Sequence, residues 1–230
     1  MSKRSFSGNF TQQEPIAEAA IERALGVLRS GRLHRYNVAA EEVSEAARLE
    51  RAFADWQGVA FCLATASGGQ AIQIALRAAG VQPGDQVLTN VFTLAPVPGA
   101  IAAVGGRPMF VETDENLRID LRDLAARIEA TSATWLLLSH MRGHLCDMDR
   151  LMEITDAAGV TVIEDCAHTM GAHWNGVRSG NHGLAACFST QTYKHINSGE
   201  GGLLTSDNPE FMARAIIPVS YTHLRAHETA

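Results

Sequence analysis

The chain has 230 residues, 46% of them hydrophobic and 19% charged, which is ordinary for a soluble globular protein holding one large domain, or one domain and part of another. A net charge of -6 leaves no basic footprint for nucleic acid, and no apolar run approaches the roughly 20 residues that span a bilayer. Cys62, Cys146, Cys166 and Cys187 are widely spaced with no CxxC pair, so a reduced, cytoplasmic protein is expected, without a zinc knuckle or disulfide framework.

Between Glu14 and Ser30 the apolar residues Ile16, Ala20, Leu25 and Leu28 recur at helical spacing, and Gly31 closes the helix. A second helix is predicted from Glu41 to Trp56. Val59 to Leu63 reads as a buried strand, after which Ser67, Gly68 and Gly69 open a helix that stops at Gly80. Val87-Leu88 is a short strand, Pro98 to Val104 a helix, Pro108 to Val111 a strand and Asp120 to Ala130 a helix. Trp135 to Leu138 shows no polar alternation, as in a strand covered on both faces. Asp149 to Ala158 is helical, Val160 to Ile163 is another apolar strand, and Ala185 to Phe188 with Leu203-Leu204 complete the series. This alternation predicts an α/β fold, a three-layer sandwich around a mostly parallel sheet. Ligands then collect beyond the carboxyl ends of the strands.

The end of the chain reads differently. Val219 to Thr229 translates one frame of a transposase-type sequencing adapter, and Pro218 fits the bases that precede it. Residues 218–230 are therefore expected to be non-native, with the genuine sequence stopping near Ile217 and a small following domain missing.

Three clusters after predicted strands carry chemistry. In Val162 to His168, Asp165 ends an apolar strand, where its carboxylate can keep a pyridine nitrogen protonated, and His168 follows three residues on. In Phe188 to Gly202, Lys194 lies between an apolar strand and the glycines 199, 201 and 202, and Ser189 offers a hydroxyl to a phosphate. A partly buried lysine amine can form an imine with an aldehyde. Ser67-Gly68-Gly69-Gln70 sits at a strand-to-helix junction, where backbone N–H groups bind phosphate. The GxxxxGK[ST] pattern of a P-loop is absent. His140 and His144 are four apart, but Met141-Arg142-Gly143 between them is not the metalloprotease pattern, so no metal is expected.

Each cluster alone has a bland explanation; a phosphate cradle, a ring-nitrogen carboxylate and an imine-forming lysine in that order are specific together. The segments VIEDCAHTMG (162–171) and FSTQTYKHINSGEGG (188–202) resemble the DegT/StrS group of sugar aminotransferases, over about Ala17 to Ile217. That resemblance implies an aspartate aminotransferase-like fold and pyridoxal 5'-phosphate as cofactor. It makes Lys194 the residue that binds the cofactor covalently and later moves the proton from the substrate Cα. Asp165 is expected at the pyridinium nitrogen, His168 near the ring oxygen, and Ser189, Gly68 and Gly69 at the phosphate. A ring-stacking aromatic of the group aligns near Leu94, with Phe92 as the substitute, and Gly69 replaces a threonine. The loop carrying Arg32, His34 and Tyr36 is expected to approach the active site.

By the same resemblance the reaction passes an amino group, from glutamate, to a keto-acceptor such as a nucleotide-linked keto-sugar, in a homodimer. Members draw residues from a second subunit and a C-terminal domain, which this chain alone does not supply. The alternatives are a dehydratase of the same fold, a branch that carries histidine at the lysine position, and a non-catalytic protein that binds the cofactor. Lys194 favours transamination.

Overall fold

A computed structural model describes residues 15–39 and 41–217. Glu14, the expected start of the first helix, and residues 218–230, read above as adapter, lie outside the described residues. No described helix is long and apolar enough to cross a membrane.

In chain order the helices are α1 (Glu18–Ser30), α2 (Glu45–Gln57), α3 (Gly68–Ala79), α4 (Pro96–Ala103), α5 (Leu121–Ala130), α6 (Met148–Ala157) and α7 (Pro209–Ile216). The strands are β1 (Phe61–Thr65), β2 (Gln86–Asn90), β3 (Arg107–Val111), β4 (Trp135–Ser139), β5 (Thr161–Asp165), β6 (His173–Trp174), β7 (Val177–Arg178), β8 (Ala185–Ser189) and β9 (Gly202–Ser206). Seven strands form one sheet in the order β1-β9-β8-β5-β4-β2-β3. The run from β8 to β3 is parallel, and β9 pairs antiparallel with both β8 and β1.

Helices cover both faces, which explains the unbroken apolar strands. Leu137 and Ile163 pack with Ala71, Ala75 and Leu76 of α3, Ile101 of α4 and Phe211 of α7. Leu136, Leu138 and Val162 face the other way, toward Leu124 of α5 and Leu151 of α6. Adjacent residues of one strand thus serve opposite layers. A smaller cluster joins Phe53 of α2 to Phe188 and Leu203.

Several boundaries moved for local reasons. α2 starts at Glu45 rather than Glu41 because the Ser44 side chain accepts the Ala47 N–H as an N-cap. The β6–β7 hairpin turns at Asn175-Gly176, both at positive φ, a sequence signal for such a turn that the apolar pattern hid. α7 begins with an Asn208 cap followed by Pro209 at its first position.

Candidate active site

The carboxyl ends of β5 and β8, the start of α3 and the loop after β8 enclose one cavity of about 450 Å³. Of the residues singled out in the sequence, Gly68, Gly69, Asp165, His168, Ser189 and Lys194 all line it. Leu94 lines it too, whereas Phe92 does not; the Phe92 carbonyl instead accepts the Asn90 side-chain amide at 3.1 Å. Arg32 and His34 border a separate groove with Glu42, to which the Arg32 guanidinium is paired.

Asp165 is the last residue of β5 and is 9% exposed. Its Oδ2 accepts the Ser139 hydroxyl at 3.0 Å, and its Oδ1 accepts the Ala167 N–H at 3.1 Å. Ser139 ends the neighbouring strand β4, and its own hydroxyl oxygen accepts from Thr93 at 2.8 Å. The Asn90 side chain at the end of β2 bonds both the N–H and the carbonyl of Ser139, each at 2.9 Å. Three adjacent strand ends therefore brace one carboxylate. Ser139, Thr93 and Asn90 escaped the sequence reading, because their signal is a position beside Asp165 in the folded sheet.

At the other end of the cavity, Ser67 caps α3 by accepting the Gln70 N–H at 3.0 Å. The N–H groups of Gly68 and Gly69 follow, in the first turn, where a helix supplies no internal acceptor. Glycine is required by close approach. A Cβ on Gly68 would lie 2.9 Å from the Ser189 Cβ, and one on Gly202 would lie 2.3 Å from the Ser67 carbonyl oxygen. Ser189 ends β8 beside this turn, 8% exposed.

Lys194 reaches into the cavity from the loop between β8 and β9, with its Nζ 2.7 Å from His168 Nε2. Burial lowers the proton affinity of the Lys194 amine; the Asp165 charge opposes this, Arg142 adds to it, and the net shift is downward. His168 is likewise held below its ordinary range by burial and then by Lys194, against a smaller opposing pull from Asp165. The arrangement is a half-buried amine of reduced basicity, a braced carboxylate and a set of anion donors around one hollow.

Behind the site, ligand atoms of His140, Glu164 and Cys166 converge within 4.8 Å, all buried. Both Glu164 oxygens are already taken. Oε1 accepts from the His182 and Gly183 N–H groups, and Oε2 from Gly180 N–H and His140 Nε2, each at 2.9 Å. That set makes Glu164 an anchor for the 180–183 loop rather than an open cation ligand.

Known proteins with similar sequences share most of this chain. GDP-perosamine synthase of Caulobacter vibrioides is 34% identical over 167 residues, covering 72% of this chain and 45% of that protein. L-glutamine:2-deoxy-scyllo-inosose aminotransferase of Streptomyces lividus is 33% identical over 212 residues, covering 91% of this chain and 48% of that protein. The chain spans about half the length of these two relatives. Among solved structures, 3-amino-5-hydroxybenzoic acid synthase superposes with a TM-score of 0.82 at 29% identity, over 91% of this chain and 54% of that one. The sequence model of the DegT/DnrJ/EryC1/StrS aminotransferase family matches residues 15–228, and the chain belongs to that family.

Proposed function

We propose that this chain carries the cofactor site of a pyridoxal-phosphate-dependent aminotransferase, with Lys194 as the attachment point. The carrying observation is that Lys194, Asp165 and the first turn of α3 line a single cavity. Its residues fit the cofactor chemically. Gly68, Gly69 and Ser189 would hold the phosphate, with glycine at 68 and 202 letting the first turn of α3 seat directly against Ser189 and β9. Asp165 would hold the ring nitrogen, its carboxylate fixed by Ser139 and Ala167.

When bound, the cofactor supplies an electron sink for the carbanion left as the substrate Cα–H bond breaks. Lys194 takes that proton and returns it. The task needs a neutral amine at working pH, which its burial favours. Leu94, Ile72 and Val97 supply an apolar wall to the same cavity.

The substrates are an amino-acid donor, glutamate or the glutamine named in the Streptomyces relative, and a keto-acceptor of the nucleotide-linked sugar class, as GDP-perosamine in the Caulobacter relative's name supports. The same reading makes the assembly a homodimer; an exposed apolar groove beside the Lys194 loop, lined by Leu49, Phe53, Trp56, Met170 and Ile196, supports it.

The test is chemical trapping. The chain is incubated with pyridoxal phosphate, reduced with borohydride and digested. A cofactor-sized mass addition on the Lys194 peptide, lost in Lys194→Ala, is the expected result; label elsewhere or none overturns the assignment. Loss of the visible band of the lysine-bound cofactor on adding glutamate or glutamine then tests the donor.

A further inference from the structure

We infer that Arg142 is a positioning residue: through its backbone N–H it fixes the tautomer of His168, so that Nε2 presents a permanent N–H donor to the cavity beside Lys194. The argument begins where β4 ends. After Ser139 the chain makes a single 3-10 turn, Met141–Gly143, in which Arg142 has φ 57 and ψ 20. A non-glycine residue in this left-handed region is strained and persists only where its surroundings hold it. They do so here. Gly143 N–H donates to the His140 carbonyl at 3.1 Å and His144 N–H to the Met141 carbonyl at 3.2 Å. His140 itself is tied to the buried Glu164.

Held in that conformation, the Arg142 N–H donates to His168 Nδ1 at 3.1 Å. An N–H has only a proton to offer, so Nδ1 must be bare. A neutral imidazole then carries its proton on Nε2. Nε2 lies 2.7 Å from the Lys194 Nζ, so the imidazole donates and the lysine accepts, which requires a neutral amine. The reverse assignment fails. If Lys194 donated to a bare Nε2, the imidazole proton would sit on Nδ1 and face the Arg142 N–H, donor against donor. Protonating the ring would break the same bond. With Lys194 neutral, burial of the ring is the main force against its protonation and the Arg142 charge adds to it, while Asp165 pulls the other way. Arg142 therefore sets the tautomer through its main chain, while its side-chain charge disfavours protonation of the ring.

The consequence for chemistry rests on the proposed cofactor reading. Beside the point where Lys194 would hold the cofactor, His168 would offer an uncharged donor, able to hydrogen-bond an anionic oxygen without releasing a proton of its own.

The tautomer itself is testable on the full chain without cofactor, so it fails independently of the trapping experiment. Nitrogen-15 spectra of histidine-labelled protein, with His168 assigned by its disappearance in His168→Gln, are expected to show a protonated Nε2 and a bare Nδ1. This form should persist to a pH below histidine's ordinary 6.5. Arg142→Gly retains the N–H and tolerates the left-handed backbone, so the tautomer of its neutral His168 ring is expected to match the parent, while loss of the charge lets the ring protonate at a higher pH. Arg142→Val disfavours that backbone and is expected to shift the tautomer ratio about five- to tenfold toward Nδ1–H, the loss of roughly one hydrogen bond. A parent spectrum with Nδ1 protonated at neutral pH overturns the inference whether or not the valine variant folds. An unchanged ratio in a folded Arg142→Val protein overturns it as well.

Discussion

A lysine works as a nucleophile or base only while neutral, and the ordinary lysine value of 10.5 leaves few neutral amines at physiological pH. At Lys194 burial is the main force against protonation and Arg142 assists, while Asp165 pulls the other way without reversing the balance. The rate of pyridoxal phosphate capture should therefore rise with pH and level off below 10.5, as read by the growth of the visible band. A midpoint at or above that value would show that the cavity does not activate the amine. Asp165 depends in turn on its supports. Ser139→Ala removes a hydroxyl that donates to a carboxylate, and Thr93→Ala only a hydroxyl that donates to that hydroxyl. The first should weaken cofactor binding about tenfold, about 1.4 kcal/mol, and the second by less. Equal losses in absorbance titrations would mean that the braces do not act in series. That Asp165 and Lys194 would share one cavity was legible in the sequence, because each stands at or after the end of an apolar strand in a distinctive motif. Ser139 and Thr93 were not, since their roles come from pairing β2 with β4 and β4 with β5, which no local pattern announces.

Strand ends and the loops that follow them are held by fewer contacts than the strands themselves, and two residues decide whether the site keeps its shape. Burial alone would push the Glu164 carboxyl up, but His140 and the Gly183 and Gly180 N–H groups outweigh it, holding the acid below its usual 4.5. A carboxyl with a depressed folded value lends stability that is full above 4.5 and is lost as the pH falls through the lower folded value. Glu164→Gln puts an NH₂ group against N–H donors and should cost about 3 kcal/mol at neutral pH. Urea denaturation should show the gap between parent and variant narrowing in acid; a gap independent of pH would argue against an ionised Glu164. At β9 the constraint is steric. Gly202 is paired with Thr65 on one side and Ser189 on the other, so it cannot retreat from the Ser67 carbonyl. Gly202→Ala should destabilise the fold by about 1–3 kcal/mol and weaken phosphate binding as α3 is pushed off its seat. An alanine variant with unchanged stability and affinity would refute this packing account.

Over the whole molecule, hydrophobic periodicity was enough to predict a covered, mostly parallel sheet, because strands such as Leu136 to Leu138 must satisfy a helix layer on each face. It did not reveal that β9 runs antiparallel between β8 and β1, since direction depends on the loop that carries Lys194 back across the sheet. Periodicity also cannot tell an apolar residue buried by its own chain from one buried by another. Leu49, Trp56 and Ile196 are each more than 40% exposed, and with Phe53 and Met170 they form one apolar groove. Scattered exposed apolar residues need no explanation, but a contiguous patch marks a contact surface. Ile196 lies two residues from Lys194, so a partner seated on the groove would also touch the loop that carries the amine. If a second copy covers it, light scattering of the full-length protein should give twice the single-chain mass. Leu49→Glu combined with Ile196→Glu should then return it to one and slow cofactor capture by Lys194. A full-length protein that scatters as a single chain at every concentration would exclude the homodimer.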